Sequence, residues 1–401
     1  MTFEKWKKEL EHTYKETVSW RRHLHQYPEP SFEEKETARY IGEKLRSFGI
    51  EDIRTHVGNG YGIVARIKGG QPGPTVALRA DFDALRIVEE GEKPFKSQNE
   101  GIMHACGHDG HTASLLSVAK VINKFKADLH GDVVLLHQHA EEVLPGGAKS
   151  MVEDGALENV DYVFGIHLGA TQPLNKVFVT YDYGSANSDT FHLKVQGKGG
   201  HGAAPHDTSD ALIVGTQIVT ALQHIVSRMT DPTQPAVLTF AEFKSGGDAY
   251  NIIADTTEIK GTVRTLNEDI QSIIKRKLKA MSSQIAAAFD ASIELDYTEG
   301  YPSIVNSPEE VERVRQRLTS LFSDEDVLEV EGQMGGEDFS YFVQEKPGAF
   351  LRVGAQPPEK EEAYPHHHPQ FEIDERALLR SGEVFLGIIA EYLLPETSWN
   401  I

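Results

Sequence analysis

Strand-like and helix-like segments alternate along much of the sequence. Outside the middle, short and nearly continuous apolar runs such as Asp132–His137 and Tyr162–His167 recur. Runs of this kind are typical of strands buried on both faces of a mainly parallel sheet. The alternation therefore predicts an α/β fold, and it excludes solenoids and propellers because no unit of 20–50 residues repeats.

The middle of the chain has a different order of elements. Its segments are strand Phe191–Val195, helix Ser209–Met229, strands Ala236–Lys244 and Thr257–Thr265, helix Glu268–Phe289 and strand Ser292–Tyr297. This β-α-β-β-α-β order is the split unit of ferredoxin-like domains, which form one antiparallel sheet with both helices on one face. Since 401 residues are long for one domain, we expect a discontinuous α/β domain over residues 1–185 and 299–401 and an inserted domain over residues 186–298.

One helix near the N-terminus carries a local start signal. Ser31 and Glu34 have the spacing of a capping box, and Gly49 follows the amphipathic stretch. A capping box satisfies the first free N–H groups of a helix, and glycine commonly ends one. The spacing therefore predicts a helix over Ser31–Gly49.

Net charge, cysteine content and the absence of long apolar runs indicate which partners and which cellular compartment to expect. The chain has 40 Lys and Arg against 61 Asp and Glu, a net charge of −21, which disfavours binding to the phosphates of nucleic acid. The single cysteine, Cys106, cannot form an intrachain disulfide, as is typical of reducing compartments. No apolar run has the length of a membrane helix, and the N-terminus has helical rather than signal-peptide spacing. We expect a cytoplasmic protein that binds neither nucleic acid nor membranes.

The densest group of metal-binding side-chain types is the segment His104-Ala-Cys106-Gly-His108-Asp109-Gly-His111. Thiolate, imidazole and carboxylate are the usual ligands of borderline transition metals. Cys106 and His108 are two residues apart and can converge on one site from a turn. A polar turn before a helix explains the same segment, so the segment by itself leaves both interpretations open.

Other ligand-type side chains follow predicted strands. Asp81, the pair Glu141-Glu142 and His167 each lie where an apolar run ends. Ligands of open α/β sheets bind at the carboxyl ends of the strands. Because neighbours in an extended segment point apart, one glutamate can bind a metal while the other faces a reacting water. Two metals with open positions activate water and polarise a carbonyl group.

Three adjacent histidines, His366, His367 and His368, lie between the last predicted strand and the last helix. They are compatible with a surface cluster or with one further ligand, and residue chemistry alone does not choose among them.

A glycine-rich stretch, Gly197-Lys-Gly199-Gly-His201-Gly202, matches the G-x-G-x-x-G pattern of dinucleotide sites. Such a site needs a helix that begins directly after the glycines and an acid at the end of the next strand. Neither signal is present here. The residues Ala-Ala-Pro205-His206-Asp207 follow the glycines where the helix should begin, and the next predicted strand has no obvious acid at its end. We interpret the glycines as a loop that presents His201.

Taken together, the motifs resemble those of the di-metal amidohydrolase branch of the aminoacylase/carboxypeptidase metallopeptidases. That group includes N-acyl-amino-acid amidohydrolases, hippurate hydrolases and indole-acetyl-amino-acid hydrolases. The resemblance extends from about residue 20 to 375 in the family's order. The motifs that carry it are Arg22-His-Leu-His25, Arg79-Ala-Asp81-Phe-Asp83, His104-Ala-Cys106-Gly-His108-Asp109, Ala140-Glu141-Glu142, Gly165-Ile-His167, Gly199-Gly-His201-Gly, Asn251-Ile-Ile, Gly261-Thr-Val-Arg264, Gly336-Glu337-Asp338-Phe339 and the His-x-Pro-x-Phe that begins at His367.

The resemblance implies two divalent metal ions per subunit, zinc, manganese, cobalt or nickel, with Cys106 as a bridge between them. It implies that Glu141 is the general base and that Asp81 orients a ligand. The implied metal ligands are Cys106, His108, Glu142, His167 and His367.

For the inserted domain, the resemblance implies a lid that also forms a homodimer or a dimer of dimers. His201 corresponds to the group that stabilises the oxyanion of the reaction. Asn251 and Arg264 correspond to substrate-binding positions, and a guanidinium suits the α-carboxylate of an amino acid.

The function implied is hydrolysis of the amide bond of N-acetyl, N-benzoyl or similar N-acyl amino acids. The alternatives are a dipeptidase or an N-acetyl-diaminopimelate deacetylase with the same machinery, a non-catalytic metal-binding protein, and a nicotinamide-dependent enzyme. Glu141 beside a full ligand set argues against the non-catalytic protein. Gly169-Ala170 stand where relatives often have Trp-Pro, and His137 and His139 replace the commoner Phe and Pro, so the substrate itself stays open.

Overall fold

The computed structural model describes residues 2–360 and 363–395. These residues form two compact units. The large unit lies within Met1–Gly184, Ile304–Glu331 and Asp338–Ile401, and the small unit consists of Ser185–Ser303 and Gly332–Glu337. The catalytic and lid roles expected of the two domains stay predictions.

The large unit contributes both the first and the last helices and strands of the chain. Its first part contains α1 (Thr2–Gln26), α2 (Lys35–Ser47), β1 (Asp52–Val57), β2 (Gly62–Ile67), β3 (Gln71–Asp81), α3 (His108–Phe125), β4 (His130–Gln138), α4 (Ala148–Glu153), β5 (Tyr162–Pro173), β6 (Val177–Val179) and all but the last residue of β7 (Tyr183–Ser185). The small unit contains β8 (Asp189–Gln196), β9 (Gly200–His201), α5 (Ala211–His224), β10 (Ala236–Ser245), β11 (Ile252–Ile253), β12 (Thr256–Thr265), α6 (Glu268–Ala288) and β13 (Ser292–Thr298). The large unit is completed by β14 (Ile304–Val305), α7 (Pro308–Leu321), β15 (Val327–Glu329), α8 (Ser340–Glu345), β16 (Gly348–Gln356) and α9 (Arg376–Leu393).

The large unit is built on an eight-stranded sheet with the order β1-β2-β4-β3-β5-β16-β6-β15. Its centre is parallel, since β3 runs parallel to β4 and β5, and β16 runs parallel to β5. The strands β1 and β2 form an antiparallel edge. The predicted mainly parallel α/β sheet is confirmed.

The strand register decides where polar side chains meet. Asp81 at the end of β3 lies opposite Gln138 at the end of β4, and Arg79 lies opposite Gly165 of β5. Parallel neighbours end at the same edge of the sheet, so the segments that follow β3, β4 and β5 converge there. Helix α3 also begins at this edge, and it is buried on nearly all sides against α1, α9 and the sheet.

The small unit has one antiparallel sheet with the order β10-β12-β8-β13. Helices α5 and α6 pack on it through a single apolar core that includes Leu193, Ile218 and Ile274. The predicted β-α-β-β-α-β order is confirmed, with two short strands, β9 and β11, paired beside it.

The predicted capping box at the start of α2 is wrong. The helix begins at Lys35, and the Glu34 side chain makes no capping bond. Instead Ser31 Oγ donates to Asp83 Oδ2 at 2.7 Å, and Glu34 Oε1 accepts from the backbone N–H of Ala140 at 2.8 Å. The first N–H groups of α2, those of Glu36 and Thr37, are bound instead by the Glu29 carboxylate at 3.2 and 2.7 Å. The Ser31 and Glu34 side chains therefore satisfy other groups of the large unit, where an unpaired buried polar group is costly. The glycine that ends the helix is found as predicted, since Gly49 has a φ of +83°.

His137 lies near the end of β4, between Ile63 of β2 and Ala80 of β3. Its side chain is fully buried, and neither ring nitrogen has a hydrogen-bond partner among residues 2–360 and 363–395. Burial lowers the pKa of His137 to about 3, because the imidazolium loses its hydration there. The unfolded chain, in contrast, takes up this proton near pH 6.5.

This histidine is expected to make the protein sensitive to mild acid. The folded state keeps His137 neutral, so stability is complete above pH 6.5 and is lost as the pH falls from 6.5 towards 3. Between pH 7 and pH 5 the loss from one such group is about 2 kcal/mol. We expect His137→Phe to show a smaller drop in melting temperature than wild type over this interval. The control is His130→Phe on the exposed start of the same strand, and an equal drop in all three proteins would contradict the prediction.

Candidate metal centre

Cys106 and His108 meet at the N-terminus of α3. Gly107 between them has a φ of +95°, in the left-handed region that residues with a side chain rarely adopt. The turn brings Cys106 Sγ, a nitrogen of His108 and a nitrogen of His167 to within 4.8 Å of one another. The segment is therefore a turn before a helix whose side chains converge, as a metal site requires.

His108 has one ring nitrogen fixed by protein groups. Its Nδ1 lies 3.0 Å from the carbonyl oxygen of Asp83 and 3.1 Å from Asp83 Oδ1, so Nδ1–H donates. The other nitrogen, Nε2, is buried and has no hydrogen-bond partner in the described part of the chain. It lies 3.9 Å from Glu141 Oε2 and 3.8 Å from Glu142 Oε1. A neutral imidazole held in this way presents a free lone pair to a cation.

The electrostatics of this cluster also fit a cation. Burial lowers the pKa of His108, but Asp81, Asp83 and Glu142 outweigh burial and raise it to about 10. Burial, Glu142 and Glu141 hold the pKa of the Cys106 thiol well above its usual value. Each effect arises from negative charge gathered in a buried space, and a divalent ion offsets that charge and favours thiolate and neutral imidazole. The mixed sulfur, nitrogen and oxygen donors suit a borderline transition metal.

His167, on β5, completes one side of the cluster. Its Nδ1–H donates to the carbonyl of Leu168 at 3.0 Å, and its Nε2 lies 3.5 Å from Cys106 Sγ. Burial and the neighbouring His111 and His366 hold its pKa well below the usual value. The ring is therefore neutral, which is the form that binds metals.

The three late histidines have different contacts. His367 Nε2 lies 3.2 Å from Glu142 Oε1, and its ligand atom is within 4.8 Å of those of Cys106 and Glu142. His366 Nδ1 lies 3.7 Å from Cys106 Sγ, while its Nε2 accepts from the N–H of Ala170 at 3.4 Å. His368 stacks on Tyr364 with ring centres 4.4 Å apart. The contacts favour His367 among the three.

Asp81 is buried beneath the cluster and is bound on both oxygens. Arg79 contacts Oδ2 at 2.6 Å, and His111 Nδ1 donates to Oδ1 at 2.6 Å. Burial raises the pKa of Asp81, but Arg79, His108 and His111 outweigh burial and hold it well below the usual value. An ionised carboxylate therefore faces His108 Nε2 at 3.7 Å.

Sequence reasoning assigned no role to Asp83 or His111, although both lie in the quoted motifs. His111 Nε2 accepts from the N–H of Leu168 at 2.9 Å, so this ring joins Asp81 to the backbone beside His167. Asp83 holds His108 and also accepts from the N–H of Glu142 at 3.0 Å. The only available signal was their position next to predicted ligands.

Three predicted site residues belong to the small unit. His201, on β9, is exposed, pairs with Ile252 and accepts at Nδ1 from the N–H of Ala203. Asn251 is next to it, because its carbonyl accepts from the N–H of Gly202 at 2.8 Å. Arg264, on β12, is half-buried and donates to Thr262 Oγ1 at 2.9 Å. Their roles in binding stay predictions.

The glycine-rich loop does not have the geometry of a dinucleotide site. Helix α5 begins at Ala211, after a 3-10 turn over Pro205–Asp207, and its N-cap is Asp210. A dinucleotide fold needs the helix N-terminus directly after the glycines, where it binds the pyrophosphate. The loop supports the interpretation that it presents His201.

Comparison with known proteins gives consistent results. The sequence model of peptidase family M20/M25/M40 matches residues 77–391. The chain is 43% identical over 309 residues to an N-acyl-L-amino acid amidohydrolase of Geobacillus stearothermophilus, covering 77% of this chain and 83% of the relative. It is 40% identical over 392 residues to thermostable carboxypeptidase 1 of Saccharolobus solfataricus, covering 96% and 97%. The structure of the Bacillus subtilis YXEP protein, described as a dinuclear metal binding peptidase, superposes with a TM-score of 0.82 at 31% identity, covering 94% and 98%.

None of the helices in the described ranges has the length and apolar composition needed to cross a bilayer.

Proposed function

Because the chain belongs to peptidase family M20/M25/M40 and is a hydrolytic metalloenzyme that acts on amide bonds, we propose that it hydrolyses N-acyl amino acids with two divalent ions and Glu141 as general base. The observation that carries this proposal is the convergence of sulfur, nitrogen and carboxylate donors around His108 Nε2. The similarity to an N-acyl-L-amino acid amidohydrolase supports the substrate class. The proposed ligands are Cys106, His108, Glu142, His167 and His367.

Amide hydrolysis makes three demands on a site. It needs a strong nucleophile, neutralisation of the oxyanion and protonation of the leaving nitrogen, because resonance makes the amide a poor electrophile. The metal ions, when bound, lower the pKa of water and polarise the carbonyl. Glu141 accepts the proton of the attacking water on its carboxylate and donates it to the leaving amine. Its Oε2 lies 3.9 Å from His108 Nε2, which puts the base beside the ligand cluster.

Other residues of the chain hold this arrangement. Asp83 fixes the His108 ring, and Asp81 is kept ionised beneath the cluster by Arg79. For the small unit we propose that His201 donates to the oxyanion and that Asn251 and Arg264 bind the carboxylate end of the substrate. The small unit is also the proposed dimerisation domain, and sedimentation of the purified chain as a monomer would contradict that role.

Short peptides are the second candidate substrate class. The similarity to a carboxypeptidase over nearly the whole chain favours them, and both substrate classes offer an amide next to a free carboxylate. The same ligand cluster and the same base serve both reactions.

The test measures metal content and amino-acid release together. Protein purified without added metal is incubated with N-acetyl amino acids, N-benzoyl amino acids and dipeptides, and released amino acid is quantified with ninhydrin. We expect about two divalent ions per chain and release from at least one N-acyl amino acid. Release from dipeptides alone would favour the second candidate. Trace metal with no release from any member of the panel would contradict both.

A further inference from the structure

The segment Ser31–Glu34 precedes α2 and is used for a purpose other than capping that helix. We propose that Glu34 is a positioning residue that holds the turn Ala140–Glu142 and thereby aims the Glu141 carboxylate. This inference rests on the proposed function, since it requires Glu141 to be the general base.

The first observation is a pair of hydrogen bonds that flank the base. The N–H of Ala140 donates to Glu34 Oε1 at 2.8 Å, and the N–H of Glu142 donates to Asp83 Oδ2 at 3.0 Å. Glu141 therefore lies between two backbone groups that are each bound by a carboxyl group. Two such bonds on either side of one residue restrict the direction of its Cα–Cβ bond.

The second observation is the backbone conformation that these bonds hold. Ala140 has a φ of +50°, in the left-handed region, where a residue with a Cβ is disfavoured. Its carbonyl is also bound, since it accepts from the N–H of Gly147 at 3.0 Å. A disfavoured conformation persists only when its surroundings hold it in place, and such conformations cluster at active sites.

The third observation is that the segment 31–34 is itself held by contacts with Asp83 and His139. Ser31 Oγ donates to Asp83 Oδ2 at 2.7 Å, so the same carboxylate binds Ser31 and the N–H of Glu142. The Phe32 ring meets the His139 ring edge to face, with centres 6.0 Å apart. Both ends of the turn at Glu141 are therefore connected to one short segment of the chain.

The Glu34 carboxyl group is uncharged for most of the time at neutral pH, which suits a buried hydrogen bond to the backbone N–H of Ala140. Its side chain is fully buried, and burial, together with the nearby Asp83, raises the pKa of Glu34 to about 8. At neutral pH most of this carboxyl group is therefore protonated. A glutamine has the same length, the same neutral charge and an oxygen that accepts from Ala140, which makes Glu34→Gln the conservative variant.

The test compares three substitutions at this position. Glu34→Asp keeps the carboxyl group but is too short to reach Ala140, and Glu34→Leu keeps the volume but cannot accept a hydrogen bond. For both we expect kcat to fall about 10- to 100-fold, as small misplacements of a reacting group do, with KM and metal content unchanged. For Glu34→Gln we expect a kcat close to wild type. Ser31→Ala removes only the hydrogen bond to Asp83, which acts on the turn indirectly, so we expect a smaller fall in kcat.

A matched control separates positioning from general destabilisation. Glu310 on α7 is also a buried glutamate with a bound side chain, because the Tyr392 hydroxyl donates to it. We expect Glu310→Leu to lower the melting temperature while kcat stays at the wild-type value. If Glu34→Leu does not fold, Glu34→Asp and Ser31→Ala still carry the comparison.

Two results would overturn the inference. Wild-type kcat in the folded Glu34→Asp or Glu34→Leu protein would show that the bond to Ala140 does not position the base. A Glu34→Gln protein as slow as Glu34→Leu would show that charge, and not the hydrogen bond, matters. Glu141→Gln is measured in parallel: turnover retained there would refute the proposed function itself, whereas loss there with active Glu34 variants refutes only this inference.

Discussion

Glu141→Gln is expected to lower kcat by about 10²- to 10⁴-fold, the range that a positioned general base contributes. The amide cannot accept the proton of the attacking water, so neither nucleophile activation nor protonation of the leaving amine is assisted. Glutamine has the size of glutamate, and Glu141 is not among the proposed ligands. Metal content by mass spectrometry and the melting temperature should therefore stay close to wild type. The measurement is the initial rate of amino-acid release on the best substrate of the panel.

The neighbouring residue provides a control of identical chemistry. Glu142→Gln is the same substitution one position away, in a residue whose Oε1 lies 3.2 Å from His367 Nε2. Because Glu142 is a proposed ligand, we expect this protein to lose metal as well as activity, and to regain part of its activity when metal is added in excess. An active Glu141→Gln protein, or one that loses metal, would contradict the assignment of the base.

His367→Ala is expected to remove one metal ion per chain and to lower activity by at least about 100-fold, since a two-metal site depends on both ions. The physical reason is that His367 is the late histidine whose ring nitrogen approaches both Glu142 and Cys106. The measurement is metal content after dialysis, together with the rate at a fixed metal concentration.

The adjacent histidines are built-in controls for this experiment. His368→Ala removes a ring that stacks on Tyr364 and accepts from the N–H of Gln370, so both ions should remain. His366→Ala removes a hydrogen bond to Cys106, and we expect a smaller loss of activity with both ions bound. Retention of both ions in His367→Ala, with loss of one in His366→Ala, would move the ligand assignment to His366.

Much of the fold was predictable because it depends on short-range patterns. Buried runs such as Asp132–His137 are recognised by composition alone, and the β-α-β-β-α-β order of the small unit follows from the order of those patterns. The start of α2 was not predictable in the same way. Ser31 and Glu34 have a valid local capping pattern, but the structure pairs them with Asp83 and Ala140, which are distant in sequence. Local propensity contains no information about such partners.

In the candidate site, too, some residues could be predicted from local sequence, and others depend on contacts with residues distant in the chain. Residue type indicated Cys106 and His108 in the turn before α3, and position at strand ends indicated the pair Glu141-Glu142 and His167, because ligand chemistry is a property of single side chains. The assignment of Glu142 as the ligand came from the family resemblance. The choice among the three late histidines required their distances to Glu142. The roles of Asp83, His111 and Glu34 were not indicated, since each acts by holding another residue.

The sequence alone determined the class of fold, the order of elements and the chemical types available for a metal centre. These depend on hydrophobic periodicity and on donor chemistry, which can be read along the chain. The tertiary structure decided which side chains meet and in which protonation state. The register of β3, β4 and β5 brings residues to one edge, where burial and the gathered carboxylates raise the pKa of the Cys106 thiol, and the carboxylates outweigh burial and raise that of His108. It also decided that Glu34 holds Ala140 rather than capping a helix, since the Glu29 carboxylate binds the first N–H groups of α2 and the buried N–H of Ala140 needs a partner.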